Sequence, residues 1–479
     1  MKIRLYSRHL ILIAAGLLGA QFTTIPALRA DLVNGQAALS VLGKPDYTNT
    51  TANGPTATEM ENPEGIAIDP VTKKLFVADR GNNRVLRFST LASYSTGAAA
   101  EAVFGQADFI SGSPNRGGAV AANTMNAPRS IQVDDAGRLW VADDINNRVL
   151  RFDGASSKTT GASADAVLGQ ATFVSFTHTT TQSGMSGPTG VVNDAAGNLY
   201  VADTGNERVL IFYNAAAKGN GANADRVLGQ ANFVTNTSAV SSSKFSSPSG
   251  VAADKSGRLW VADRGNSRIL RFDNAATIGN GAAASAVLGQ ADFVTAVAQP
   301  VSATSLQSPY YVAAAPDGTI WVGDFSRDRV LGYKSAAGKA NGGSADVVLG
   351  QSNFVTSGAG AASATSIGSA NAVAVDSEGG LFVSDYSYHR VLRYSAVVKI
   401  KTPGRVTATG GKAMLRGTSE HASFVRYKQP GAPFADARGK VSSWKVKLKG
   451  LTRPITRVRV KAVALDKRET TKFVKVINR

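Results

Sequence analysis

Six aspartates in this chain are each followed five residues later by an arginine: Asp79/Arg84, Asp143/Arg148, Asp203/Arg208, Asp263/Arg268, Asp324/Arg329 and Asp385/Arg390. A carboxylate and a guanidinium at one fixed spacing have the look of a functional array. Their regularity argues the other way. A catalytic site breaks symmetry, whereas a staple that ties turn to turn is needed once in every repeat. Asp side chains bond nearby backbone amides, and the Arg fork satisfies several acceptors at once. The pairs are therefore read as structure. Other chemistry is thinly supplied. Cysteine is absent, which removes thiolate nucleophiles, disulfides and thiolate metal sites. The four histidines, His9, His178, His389 and His421, show neither His-x-His nor His-Glu-x-x-His spacing. The D-x-x-G turns lack the alternating carboxylates and closing Glu of a calcium loop.

Each pair belongs to a longer recurring stretch, seen most clearly as LWVADRGNSRILRF from Leu259 to Phe272. Near copies start at Leu75, Leu139, Leu199, Ile320 and Leu381, and the aspartates step by 64, 60, 60, 61 and 61 residues. Every copy holds two β-rich runs around a tight polar link. A proline-led run such as Pro248–Asp254 precedes it in five of the six, and a VLGQ-type run such as Val287–Gln290 follows it in five. Short segments rich in β-branched and aromatic residues, bounded by Gly, Pro, Asn and Asp, predict strands. Four strands per unit at a fixed period predict an all-β propeller. The order at the two ends specifies closure. A first VLG (Val41–Gly43) precedes the first proline-led strand, and none follows Tyr394. Pairing Ala38–Gly43 with the last blade gives six four-stranded blades and no open junction.

The pattern P-x-G-[IV]-A-x-D, G-x-L-[FWY]-V-A-D, N-x-R-[VI]-L-x-F resembles the NHL repeat over roughly 37–396. The departures are Ser130, Tyr311 and Ala372 at the usual glycine, and Ala370 at the usual proline. The resemblance implies a six-bladed β-propeller. It also implies two chemistries, because some NHL-type and other six-bladed propellers are metal-dependent lyases or hydrolases. Those use His clusters, or a ring of Asp, Asn and Glu in the central funnel. The first signature is missing here. The second stays open, so a divalent ion in the central channel is the alternative to a protein with no cofactor.

Asymmetry between blades is the better guide to a binding site. The residues after the repeat-opening prolines are expected to approach the central mouth: Glu64, Arg129, Thr189, Ser249 and Tyr310, with Asn371 in the matching place. Blades 5 and 6 also break the Gly-Asn turn between the second and third strands. They carry Phe325-Ser326-Arg327-Asp328 and Tyr386-Ser387-Tyr388-His389 on the same face as Tyr310 and Tyr311. Aromatics beside Arg suit a peptide or a sugar ring. The candidate ligand-binding set is thus Glu64, Arg129, Tyr310, Tyr311, Phe325, Arg327, Asn371, Tyr386, Tyr388 and His389. No catalytic residue is assigned.

The ends of the chain differ from the repeats. Residues 1–30 pair a basic start (Lys2, Arg4, Arg8) with an apolar stretch, Leu10–Ala20, too short to span a bilayer. That predicts a signal peptide and export, secreted, periplasmic or to the cell surface, with no transmembrane segment in the mature chain. The net charge of +18 is uneven: +4 in 1–30, −3 in 31–396 and +17 in 397–479. Runs such as Trp444–Lys449 and Arg457–Val463 alternate basic and apolar residues, as half-buried strands do. The tail resembles, more loosely, a bacterial immunoglobulin-like sandwich, which implies an adhesive or spacer module. Its charge would draw it to an anionic envelope polymer. Nucleic acid is not favoured, because the propeller is slightly acidic. The sequence-level expectation is an exported, non-enzymatic protein that recognises a protein or glycan at the propeller face.

Overall fold

The computed structural model describes residues 32–90, 94–377 and 379–395 in full, and the backbone of strands between 399 and 478. Six antiparallel four-stranded sheets make up the first part. In blade 4 the strands are Pro248–Ala253, Leu259–Asp263, Arg268–Phe272 and Ala286–Leu288, paired in that order. Blades 1, 2, 3 and 5 repeat this plan from Pro63, Pro128, Pro188 and Pro309. Blade 6 takes Ala370–Val375, Leu381–Asp385 and Arg390–Tyr394 from the end of the repeat region. Its fourth strand, Ser40–Leu42, comes from the beginning, with Val41 opposite Leu392. The expected closure is the observed one.

The apolar core is divided into six layers, one between each pair of neighbouring blades. Phe76, Val85 and Phe104 of blade 1 meet Ile131, Leu139 and Val141 of blade 2, and equivalent clusters follow around the ring. Period-2 side-chain alternation explains the division, since each strand feeds both of its faces. The closing strand shows it in miniature. Val41 packs with Leu349 and Val330 of blade 5, whereas Leu42 packs with Leu75 and Val77 of blade 1.

The innermost strands run close together, and glycine permits it. A Cβ at Gly65, Gly190 or Gly250 would lie 2.4, 2.0 or 2.5 Å from backbone of the next blade. Blade 5 departs with Tyr311 at this position, and the glycine moves to its second strand. A Cβ at Gly323 would stand 2.2 Å from the Asn371 carbonyl of blade 6. Fourth strands form the outer edge, and a side chain from a neighbouring loop caps each of the six. Thr96 and Thr160 accept from the backbone N–H of Val41 and Val103. Asn220, Asn280 and Asn341 accept from the backbone N–H of Val167, Val227 and Val287, and Asn34 serves Val348 in the same way. The closing segment therefore begins before Ala38: Asn34 already completes blade 5. Capped edges resist pairing with foreign strands.

The Asp–Arg pairs are buried hubs. In blade 3, Arg208 Nε donates to Asp203 Oδ2 at 2.7 Å, and its other nitrogens reach the carbonyls of Phe233, Thr181 and Gly184. Asp203 Oδ1 accepts from the Ser186 amide and Oδ2 also from Asn206. All six pairs lie at 2.7–2.8 Å with no solvent exposure. In blade 6 the same fork holds the N-terminal segment, because Arg390 donates to the Tyr47 carbonyl. The aspartates of the D-x-x-G turns bond their own loop, as Asp134 does with the amides of Ala136 and Arg138.

Among the described residues from 399 onward, nine strands form two sheets. One orders Lys399–Lys401, Ala413–Glu420, Ser443–Leu448 and Arg438–Lys440. The other orders Arg405–Ala408, Glu469–Asn478, Ile455–Val463, Phe424–Lys428 and Ala435–Asp436. The leader expected over residues 1–30 lies outside the described residues. No helix among the described residues is long and apolar enough to cross a membrane.

Candidate functional site

The mouth is built from two rings of side chains, each contributed once per blade. One is the residue after the opening proline: Glu64, Arg129, Thr189, Ser249, Tyr310 and Asn371. The other is the residue after the hub aspartate: Arg80, Asp144, Thr204, Arg264, Phe325 and Tyr386. The backbone at these positions repeats while the side chains do not, which is what a ligand site on a symmetric scaffold requires.

Blades 1 and 2 form a charged sector. Arg129 Nη1 stands 3.0 Å from Glu64 and its Nε 2.5 Å from Asp144, while Arg80 lies 3.3 Å from Glu64. Burial raises the Glu64 pKa against the pull of Arg129 and Arg80. Burial also works against the charge on Arg129, but Glu64 and Asp144 outweigh it and raise its pKa. Blades 3 and 4 form a hydroxyl sector. Thr204 donates to the Pro248 carbonyl at 2.6 Å, Thr189 and Thr204 share a hydrogen bond, and Ser249 donates to the Tyr310 carbonyl at 2.7 Å. Blades 5 and 6 form an aromatic sector. Tyr310 packs on Phe325 with ring centres 4.8 Å apart, and Phe325 meets Tyr386 edge-on at 6.0 Å. Arg264 joins two sectors: its guanidinium lies 4.8 Å over the Tyr310 ring and donates to the Tyr310 hydroxyl at 2.6 Å.

A pocket of about 200 Å³ opens in this mouth, lined by Arg129, Asp144, Thr189, Thr204, Ser249, Arg264 and Tyr310, with two glycines. Beneath the mouth Tyr311 crosses the channel. Its hydroxyl donates to the Thr189 carbonyl of blade 3 at 3.0 Å and lies 3.3 Å from Glu64 of blade 1. Burial and the neighbouring Glu64 push its pKa well up, so it stays a neutral donor. Tyr311 is a plug in the channel rather than a rim aromatic. Asn371 is 1% exposed, and neither amide atom has a partner among the described residues.

Three of the sequence-predicted residues lie elsewhere. Arg327 is buried in the turn, where blades 1 to 4 carry the asparagine that donates to the hub aspartate. From there it reaches Ser305 Oγ at 2.7 Å and the Gln299 carbonyl. Tyr388 fills the matching position of blade 6 and donates to the Gly360 carbonyl. Both replace an asparagine that bonds the same link loop, as Asn206 does at Thr179. His389 tethers one blade to the next. Its Nδ1 accepts from the Asn62 amide of blade 1 at 3.0 Å, and Asn83 and Asn147 do the same work with Oδ1. Arg80, Asp144, Thr204 and Arg264 escape sequence reasoning because they look like parts of a turn that recurs in every blade. Their repeat register, directly after the hub aspartate, was the available signal.

His389 carries a pH prediction. Burial, with Lys44 nearby, lowers its pKa from 6.5. A depressed histidine contributes stability that is full above pH 6.5, falls as the unfolded chain protonates below it, and stops falling once the folded-state pKa is passed. Its backbone φ is +55°, a region asparagine tolerates better. His389→Asn should therefore keep the hydrogen bond and flatten the fall in melting temperature from pH 7 to pH 5. Parallel melting curves for the two proteins across that range would contradict this.

Among the described residues no three His, Cys, Asp or Glu side chains converge to hold a metal. The two mouth carboxylates, Glu64 and Asp144, are instead bridged by Arg129.

Comparison with known proteins places the repeat. The model of the NHL repeat matches residues 185–212 and 245–272, the first three strands of blades 3 and 4. Among solved structures, similarity is found to the extracellular domain of a one component system from B. thetaiotaomicron, at 10% identity and TM-score 0.40. That match covers 92% of this chain, which spans 59% of the other. A nidogen/laminin complex matches at 18% identity and TM-score 0.37, covering 61% of this chain and 86% of the other. Virginiamycin B lyase from Staphylococcus aureus matches at 11% identity and TM-score 0.40, covering 83% of this chain and 97% of the other. The assignment rests on the repeat itself: the matched strands and their hub recur in all six blades, and the chain is an NHL-repeat six-bladed β-propeller.

Proposed function

We propose that this is an exported, non-enzymatic binding protein whose propeller mouth recognises a protein or glycan ligand. The observation that carries this reading is the pair of mouth rings. Twelve positions equivalent by symmetry hold charged, hydroxyl and aromatic sectors around an open pocket, and a scaffold role demands no such division. Tyr310, Phe325 and Tyr386 supply apolar contact with polar edges, the composition of recognition surfaces. The 31–396 propeller would act together with a basic, immunoglobulin-like module at 397–479 that attaches to an anionic envelope polymer. The alternative, a hydrolase or lyase with a divalent ion in the channel, lacks a matching observation. The carboxylates nearest the channel are held by arginine, and Tyr311 occupies the path beneath them.

A glycan and peptide array probed with the full chain and with a Phe325→Ala/Tyr386→Ala variant tests this. The expected result is a ligand whose binding falls at least about tenfold in the variant, as losing central aromatic anchors does, with an unchanged melting temperature. Ligands that bind both proteins equally would remove the mouth from the function. Raising salt in the same assay reads the tail, whose contribution should weaken with ionic strength.

A further inference from the structure

Five charged side chains line the mouth, and four of them neutralise one another. Arg129 bridges Glu64 and Asp144, and Arg80 also contacts Glu64. The fifth, Arg264, has no carboxylate within ion-pair distance among the described residues; Glu207, which feels its charge, is held by the Ser247 amide instead. Among the described residues it donates to the Tyr310 hydroxyl, and its guanidinium stacks over the Tyr310 ring. The guanidinium is thus held in place with donors unspent, beside a pocket to which it gives one positive charge in excess.

The Ser249, Thr204 and Thr189 hydroxyls of the pocket are set as acceptors. Ser249 spends its hydrogen on the Tyr310 carbonyl and Thr204 on the Pro248 carbonyl. Thr189 must then donate to Thr204 across their shared hydrogen bond. Each of these oxygens keeps lone pairs and has no hydrogen left for a ligand. Tyr310 accepts from Arg264, which leaves its own hydrogen free. The pocket therefore asks for a ligand with several hydroxyl donors and one anionic group. At about 200 Å³ it is smaller than the roughly 300–1,000 Å³ of a drug-sized site, so it takes one unit of a longer molecule.

Building on the mouth as a ligand site, we propose that this pocket binds a sugar acid, with its carboxylate on Arg264 and its hydroxyls toward Thr189, Thr204 and Ser249. An acidic peptide side chain offers the carboxylate but not the hydroxyls, and a neutral sugar leaves Arg264 unanswered. Charge-assisted bonds to a guanidinium are the strong ones, so Arg264 should dominate the discrimination.

Calorimetric titration of the full chain with a short oligogalacturonate, the same oligosaccharide with its carboxylates reduced to alcohols, and oligoglutamate provides the test. The oligogalacturonate should bind wild type about 10- to 100-fold more tightly than Arg264→Gln, with Arg264→Lys between them and all three melting alike. The basic tail adds the same background to every protein, so the difference isolates Arg264. Three results would overturn the proposal: equal binding of the reduced oligosaccharide to wild type, tighter Arg264-dependent binding of oligoglutamate, or oligogalacturonate binding indifferent to Arg264. The first two leave the mouth standing as a ligand site for another class. Loss of ligands in the Phe325/Tyr386 variant while Arg264 is inert would separate the same two ideas.

Discussion

Deleting Ala37–Gly43 is expected to lower the melting temperature severely or leave the propeller unfolded. The segment carries the fourth strand of blade 6, Ser40–Leu42, whose two apolar residues serve different layers: Val41 faces blade 5 and Leu42 faces blade 1. Both are essentially unexposed. Burying two such side chains contributes about 3–6 kcal/mol on transfer alone, a large part of the roughly 5–15 kcal/mol that holds a domain folded. The deletion also strips the ladder from Arg390–Tyr394 and uncovers a sheet edge. Thermal and denaturant unfolding of the otherwise complete chain would measure the loss. An unchanged melt would mean that the ring does not depend on this strand.

The second large effect is expected at a hub. Asp203→Ala should cost about 3–5 kcal/mol, because removing one member of a buried pair leaves the other charged and unpaired. Arg208 has zero side-chain exposure and would keep only carbonyl partners, while the Ser186 amide and Asn206 would lose their acceptor. Arg208→Met together with Asp203→Ala should recover part of the loss, since no uncompensated charge then remains. Burial raises the pKa of each hub aspartate against the pull of its arginine, in blade 6 to about 6. Keeping these charges buried is costly, so the hubs fix geometry more than they add stability. A double variant no better than the single one would contradict that account.

The repeat made the architecture legible from sequence, because strand pattern, period and end order all point to the same ring. The hub reading was equally accessible, since a feature present six times is a scaffold feature. The site was only partly legible. Glu64, Arg129 and Tyr310 could be placed at the mouth by register, but side-chain direction decides the rest. Tyr311 sits next to Tyr310 where the pairing slips between Pro309 and Val312, so alternation does not separate them. Their rings stay 6.2 Å apart, one lining the pocket and the other plugging the channel. Arg327 looks like a ligand-binding arginine until its turn position is compared with Asn266 in blade 4, which shows it to be an inward-facing substitute. Arg264 was hidden for the opposite reason: it stands in a turn that otherwise looks ordinary, and what sets it apart is that, among the described residues, no carboxylate lies within ion-pair distance of it.

The closing strand also governs when this protein can fold. Leu210 pairs with Val227 only 17 residues along the chain, whereas Leu392 pairs with Val41 across 351. About four doublings of loop length at about 0.6 kcal/mol each add only about 2.5 kcal/mol to the closure cost, which the two apolar layers outweigh. In time the penalty is greater. The strand made first must wait for the last blade, and until then the array shows an unfinished edge at each end. Closure is therefore the late, slow event of folding, since distant pairings are reached last. The interval before it is when the chain is most open to pairing with another copy of itself.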